Sequence, residues 1–125
     1  MIVALALAMI TPQVRLMPAA KITVASVEVF VLARQTRAGA LLHCADLPRD
    51  WLASRTDIVI RFRQTSALSP LTLSKIPETA HALVVVDGYE QAGALGPRTA
   101  FGCHDDVTFH AGQTTPLDLT LSAAF

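Results

Sequence analysis

Run after run of this chain sets apolar side chains at every second position, the spacing of strands that turn one face to a core. Asp57–Arg63 places Ile58, Ile60 and Phe62 against Val59, Arg61 and Arg63. Leu117–Ser122 alternates Leu117, Leu119 and Leu121 with Asp118, Thr120 and Ser122, and Val107–His110 sets Val107 and Phe109 against Thr108 and His110. Ala82–Val86 replaces alternation with a continuous apolar run, which suits a central strand covered on both faces. Leu71–Ile76 and Leu41–Ala45 read as further short strands, the second carrying His43 and Cys44. Ile22–Ala33 is rich in β-branched residues with a mixed pattern. Ile22 and Val24 share a face with Ser26 and Glu28, while Val27, Val29 and Val31 line the other, a switch that predicts a bulge near Ala25.

One stretch reads as helical. Asp46 offers a cap and Pro48 a first-turn residue for 49–55, with Leu47 and Trp51 at helical spacing, enough for one or two turns. Turn signals fall at Arg37-Ala38-Gly39, Ser69-Pro70, Asp87-Gly88, Gly93 to Pro97 and Ala111-Gly112. About seven or eight strands, spaced roughly ten residues apart without long amphipathic helices, predict an all-β sandwich or barrel; an Ig-like antiparallel sandwich with one short helical turn is the expected fold. The 125 residues suit one domain, assigned to 13–125, preceded by an apolar segment over 1–12. Within that segment Ile2–Ile10 is unbroken apolar sequence, yet the first basic side chain is Arg15, so the positive region of a secretory signal is missing. Nine apolar residues also fall short of the ~20 of a membrane helix. A signal remnant, a truncated start and a first strand remain open.

Composition changes this picture little. Hydrophobic residues make up 52% of the chain, but 20 of its residues are alanine and only 6% are aromatic, so the chain reads as globular rather than membrane-embedded. Ten basic and ten acidic side chains give zero net charge without a basic cluster, which argues against a nucleic-acid partner. Nine of the ten Lys and Arg precede residue 76, and six of the ten acids follow it. That asymmetry either forms a steering dipole or is mixed away by interleaving of the two halves.

Two passages in the second half have a familiar shape. Ile76–Gly93 (IPETAHALVVVDGYEQAG) and Gly102–Leu121 (GCHDDVTFHAGQTTPLDLTL) resemble the proline-turn-strand-Gly-Tyr passage and closing strand pair of carboxypeptidase-regulatory-like and transthyretin-like (prealbumin-like) bacterial β-sandwich domains. The resemblance spans about residues 71–121; Glu78-Thr79-Ala80 stands where those domains place a turn glycine. It implies a sandwich fold, a location outside the cytoplasm (periplasmic, cell-surface or secreted) and no catalytic residues. Tyr89, following Gly88, is then expected to lay its ring on the core at a strand end, or else to be an exposed binding aromatic.

The candidate chemistry is sparse. Cys44 and Cys103 are the only cysteines; their even count and the implied compartment favour a disulfide over two buried thiols. His43, His104, Asp105, Asp106 and His110 supply metal-ligand residue types, but neighbouring residues on a strand point to opposite faces and no ligand spacing is present, so no metal site is assigned. There is neither a G-x-S-x-G elbow nor a glycine-rich phosphate loop. Asp87 and Glu90 flank an expected turn, a setting too exposed for a tuned acid pair. Trp51 is expected to plug one end of the core, or to form a sugar-stacking platform. The resulting expectation is a non-enzymatic extracytoplasmic module without cofactor, acting on a protein partner or cell-envelope component. A carbohydrate- or small-ligand-binding module using Trp51 or Tyr89 is the alternative. A metal-dependent hydrolase around His104, Asp105, Asp106 and His110 comes third.

Overall fold

The computed structural model describes residues 13–18, 24–48, 50–67, 73, 75–110, 112 and 116–123. Its elements are β1 (Gln13–Pro18), β2 (Ser26–Leu32), a 3-10 turn (Cys44–Asp46), α1 (Trp51–Ser54), β3 (Ile60–Ala67), β4 (Thr79–Gln91), β5 (Leu95–Phe109) and β6 (Pro116–Ala123). Five strands form an open antiparallel sheet in the order β6-β5-β4-β2-β3, and β1 lies parallel on the outer side of β6.

The sheet is organised by its two central strands. Every residue of β2 is buried, as is every residue from Ala82 to Gly88 in β4. Their register pairs Val29 with Val86, Phe30 with Val85 and Val31 with Val84. Because successive side chains leave opposite faces, the apolar residues split into two cores. Val27, Val29, Val31, Val84 and Val86 line the first face, and Phe30, Leu32, Leu83 and Val85 line the second.

The first face is closed by Leu73, Ile76, Val107, Phe109 and Leu121. Two compensating irregularities in the β4–β5 ladder make this possible. Between the pairs Thr79–Phe109 and Ala82–Val107, Ala80 and His81 oppose Thr108 alone; between Ala82–Val107 and Val84–His104, Leu83 alone opposes Asp105 and Asp106. His81 and Asp106, with φ of 53° and 58°, occupy these extra positions. In β5, Ala100 faces the first core while Phe101 and Cys103 face the second; beyond the bulge, odd-numbered Val107 and Phe109 return to the first. Gly102 lets β6 approach, since a Cβ there would stand 3.0 Å from the Thr120 carbonyl oxygen and from Leu121.

The second face is covered by the long excursion between β2 and β3. Leu42, Leu47, Trp51 and Ile58 descend onto Phe30, Leu32, Leu83 and Val85. Trp51 is fully buried and meets Phe30 edge-on, with ring centroids 4.9 Å apart and planes at 88°.

The expected strands at Ala82–Val86 and Leu117–Ser122 fall inside observed strands, and Val107–His110 does so as far as Phe109, where β5 ends. The expected seven- or eight-strand sandwich is not shown: among the described residues one sheet is present, and non-strand chain occupies the place of a second sheet. Leu41–Ala45 is not a strand. Leu41 makes an isolated bridge to Gln35, and the chain then tightens into the 3-10 turn. Asp46 caps that turn, accepting the His43 N–H at 3.0 Å, whereas Asp50 stands at the N-cap of the single-turn α1. Asp87-Gly88 is not a turn; it lies inside β4, where a Cβ on Gly88 would meet Ala100 at 3.0 Å and Val24 at 3.1 Å. Tyr89 likewise sits within β4 rather than at a strand end. Ile60 begins β3 exposed, beside a register shift opposite Val31 and Leu32, while Ile58 is buried and Phe62 half-buried. Leu73 and Ile76 are buried and Lys75 is exposed, none of them in a strand, while Leu71, Thr72 and Ser74, with segment 1–12, Ser69-Pro70 and Ile22, lie outside the described residues.

The Trp51 indole N–H is buried with no hydrogen-bond partner among the described residues, so the ring contributes through packing. Trp51→Phe is therefore expected to cost less than about 2 kcal/mol, against about 3–5 kcal/mol for Trp51→Ala. Urea unfolding of the two variants checks this; equal losses would contradict it.

Candidate functional site

Cys44 and Cys103 form a disulfide, with Cα atoms 5.8 Å apart. Cys103 stands on β5 opposite Val85, and Cys44 opens the 3-10 turn, so the bridge ties the excursion to the sheet it covers. Nearby polar contacts reinforce this corner. The Cys44 N–H donates to Asp105 Oδ1 at 2.8 Å. At the far end of α1, Arg55 makes a two-pronged contact with Asp57 at 2.8 and 2.6 Å.

Beside the disulfide lies a cleft of about 230 Å³ lined by Arg34, Leu42, His43, His81, Leu83, Asp105 and Asp106. It forms where the end of β2, the start of the 3-10 turn and the paired bulges converge. The His81 ring contacts the Asp106 carboxylate through Nδ1, and Arg34 approaches the same carboxylate at 3.8 Å. The hydrogen bond from His81 is the largest influence holding the Asp106 carboxyl below its ordinary range. The His81 backbone N–H donates to Thr108 Oγ1 at 3.0 Å, fixing the bulge in place. His43, Asp105 and Asp106, all singled out in the sequence, thus meet beside the bridge. His104 does not line the cleft: its ring Nδ1 bonds the Asp105 carbonyl oxygen at 2.8 Å, and His110 is exposed just past the end of β5. Among the described residues no group of three or more His, Cys, Asp or Glu is placed to hold a metal ion. Arg34 and His81 were not legible as members: His81 and its partner Asp106 sit in left-handed bulges at non-glycine residues, which hydrophobic patterning does not register.

A second polar cluster occupies the same face beyond Phe30, away from the cleft. Glu28 and Asp87 are directly opposed on β2 and β4, both buried. Arg63 of β3 donates from Nε to Glu28 Oε2 at 2.7 Å and holds its guanidinium 5.1 Å above the Phe30 ring. Arg98 of β5 donates from Nη1 to Asp87 Oδ1 at 3.2 Å. Burial pushes the Asp87 carboxyl up to about 6 despite the opposing pull of Arg98, and Glu28 adds to the rise. The same burial, then Asp87 and Glu28, raises the Tyr89 hydroxyl, which lies among these charges. The sequence reading placed Asp87 in an exposed turn; it is 1% exposed, and its partner carboxylate is Glu28 rather than the exposed Glu90. Trp51, the other proposed sugar platform, is enclosed in the core.

The fold and its bridge define an antiparallel β-sheet domain carrying one disulfide. The chain matches no family model, no curated protein and no solved structure. No helix among the described residues is long and apolar enough to cross a membrane.

Two outcomes follow from this geometry. Closing a loop of 59 positions stabilises by about 4 kcal/mol in the chain-entropy treatment, so replacing both cysteines by serine is expected to remove about that much in urea unfolding. Asp87 retains its proton in the folded chain up to about pH 6, whereas the unfolded chain releases it near 3.8. Folding therefore takes up a proton between those values, and stability falls on the order of 2–3 kcal/mol as pH rises through that window. Asp87→Asn is expected to flatten this part of the stability profile measured from pH 4 to 7; an unchanged slope would refute the assignment.

Proposed function

We propose that this chain is a non-enzymatic, extracytoplasmic β-sheet module with a structural or protein-interaction role. The observation that carries the reading is the Cys44–Cys103 disulfide, which fastens residues 33–59 over the second core and is consistent with an oxidising compartment. Kinship to transthyretin-like sandwich domains belongs to the same proposal, supported by the open antiparallel sheet and the central β4 strand. The polar groups of the cleft fit a structural role, because Asp105 and Asp106 accept from donors within the fold. Interaction through the sheet is supported by β3, an edge strand whose outer side pairs with no strand among the described residues.

Thiol titration tests the compartment. Protein recovered after export to an oxidising compartment and unfolded without reductant is expected to show no free thiol. Two thiols per chain would overturn the reading.

A further inference from the structure

We propose that the half of the second sheet face left beyond the excursion docks an acidic peptide segment of a partner protein, with a peptide carboxylate held by Arg63 and Arg98. This rests on the interaction-module reading and names its surface. The rows of the sheet place Ser26, Tyr89 and Arg98 together, then Thr65, Glu28, Asp87 and Phe101, then Arg63 and Phe30. Both acids are buried at the floor, while the Arg63 side chain is 50% exposed and the Arg98 side chain 15%, so the face presents Arg63 openly and Arg98 in part to an approaching partner. Neither arginine is used up by its acid. Arg63 engages Glu28 through Nε, and Arg98 engages Asp87 through Nη1. A guanidinium carries five N–H donors in a fixed fork suited to carboxylates.

Stability alone does not account for the arrangement. Two carboxylates side by side on central strands are costly to bury, and a well-packed apolar set of similar volume is often as stable or more so. What the buried acids do provide is fixed orientation of the two arginines. Phe101 and Tyr89, each half-buried on the same face, add the aromatic character that partner surfaces share with arginine. A sheet face suits an extended peptide better than a small ligand, which favours a concave site.

The groups facing Asp87 from the neighbouring strands are Glu28, Arg63 and Arg98, with Tyr89 on its own strand. A peptide carboxylate bound at Arg98 competes with the Asp87 carboxylate for the same donors and adds negative charge beside it. Docking therefore favours protonated Asp87 and takes up a proton, so affinity rises as pH falls from 7.5 to 5.5.

Fluorescence anisotropy with labelled penta-glutamate, penta-glutamine and a uronic-acid oligosaccharide, at pH 5.5 and 7.5, tests the proposal on the intact oxidised chain. Penta-glutamate is expected to bind about tenfold more tightly at pH 5.5 than at 7.5. Arg63→Gln and Arg98→Gln are each expected to weaken it by at least about tenfold. Asp87→Asn, which keeps an acceptor for Arg98 without the charge, is expected to bind at pH 7.5 as wild type does at 5.5. Arg98→Lys guards against misfolding: it retains the charge without the fork and is expected to fall between wild type and Arg98→Gln.

Binding that is absent at both pH values, or indifferent to both glutamine substitutions, overturns the site. So does penta-glutamine binding as well as penta-glutamate, or the oligosaccharide binding while penta-glutamate does not. A pH dependence that persists in Asp87→Asn removes the proton linkage. Failure of the peptide with no free thiol after export sinks this surface and leaves the module reading intact; two free thiols sink the compartment argument whatever the peptide does.

Discussion

The pairing of β2 with β4 is the constraint on which the rest of the structure depends. Both strands are buried on both faces from Ser26 to Leu32 and from Ala82 to Gly88. Antiparallel sheets commonly leave one side to water, but valines alternating through Val84, Val85 and Val86 leave neither side available for that. Two coverings are required, and the chain makes them differently. The first comes from the sheet itself, through bulges at His81 and Asp106 that bring Val107 and Phe109 back to the face of Ala100. The second comes from irregular chain, which has no ladder of its own to hold it down. The disulfide meets that need: it joins the excursion to β5 beside the bulges, where the Cys44 N–H also reaches Asp105.

The positions of the two polar sites follow from the same constraint. The excursion is long enough to cover Phe30, Leu32, Leu83 and Val85, and polar groups gather at either side of that patch. On one side the bulges gather Arg34, His81 and Asp106 into a cleft. On the other, the central strands continue past the apolar cover that the excursion supplies, carrying Glu28 and Asp87. Charges in those positions must find partners on adjacent strands, which Arg63 and Arg98 supply. The raised Asp87 carboxyl shows that Arg98 only partly offsets the loss of water.

The parts of this architecture legible in the sequence were those written in local apolar pattern. The run Ala82–Val86 announced a strand covered on both faces, and Val107 with Phe109, set against Thr108 and His110, announced one core-facing side. The cysteine count pointed to the bridge, and Trp51 emerged as a core plug. The illegible parts depended on contacts between distant residues. Asp87-Gly88 carries a strong turn signal, yet Gly88 is needed inside a strand because Val24 and Ala100 leave no space for a Cβ. Once that position is read as a turn, Asp87 is placed in solvent and its pairing with Glu28 disappears. Leu41–Ala45 had strand composition, but Cys44 is held by a partner 59 residues away and the chain there tightens into a 3-10 turn.

The mixed pattern of β2 is instructive in the same way. Ser26 and Glu28 share a side with Phe30 and Leu32, whereas Val24, just ahead of the strand, packs with Val27 and Val29 on the first core, as a switch near Ala25 requires. Past that switch the strand runs with regular pairing to β4 from Ser26 to Leu32, and the face itself changes character along its length. Each polar side chain in it has a specific recipient. Ser26 Oγ donates to the Gln91 carbonyl at 2.6 Å and accepts from the Ala94 N–H at 2.9 Å, closing the β4–β5 turn, and Glu28 takes Arg63. A change of polarity along one face of a strand can therefore mark the boundary of its covering rather than a break in its geometry. Here that boundary separates the stapled core from the surface carrying Arg63, Tyr89 and Arg98, so the residues that obscured the strand in the sequence are those that give the face its chemistry.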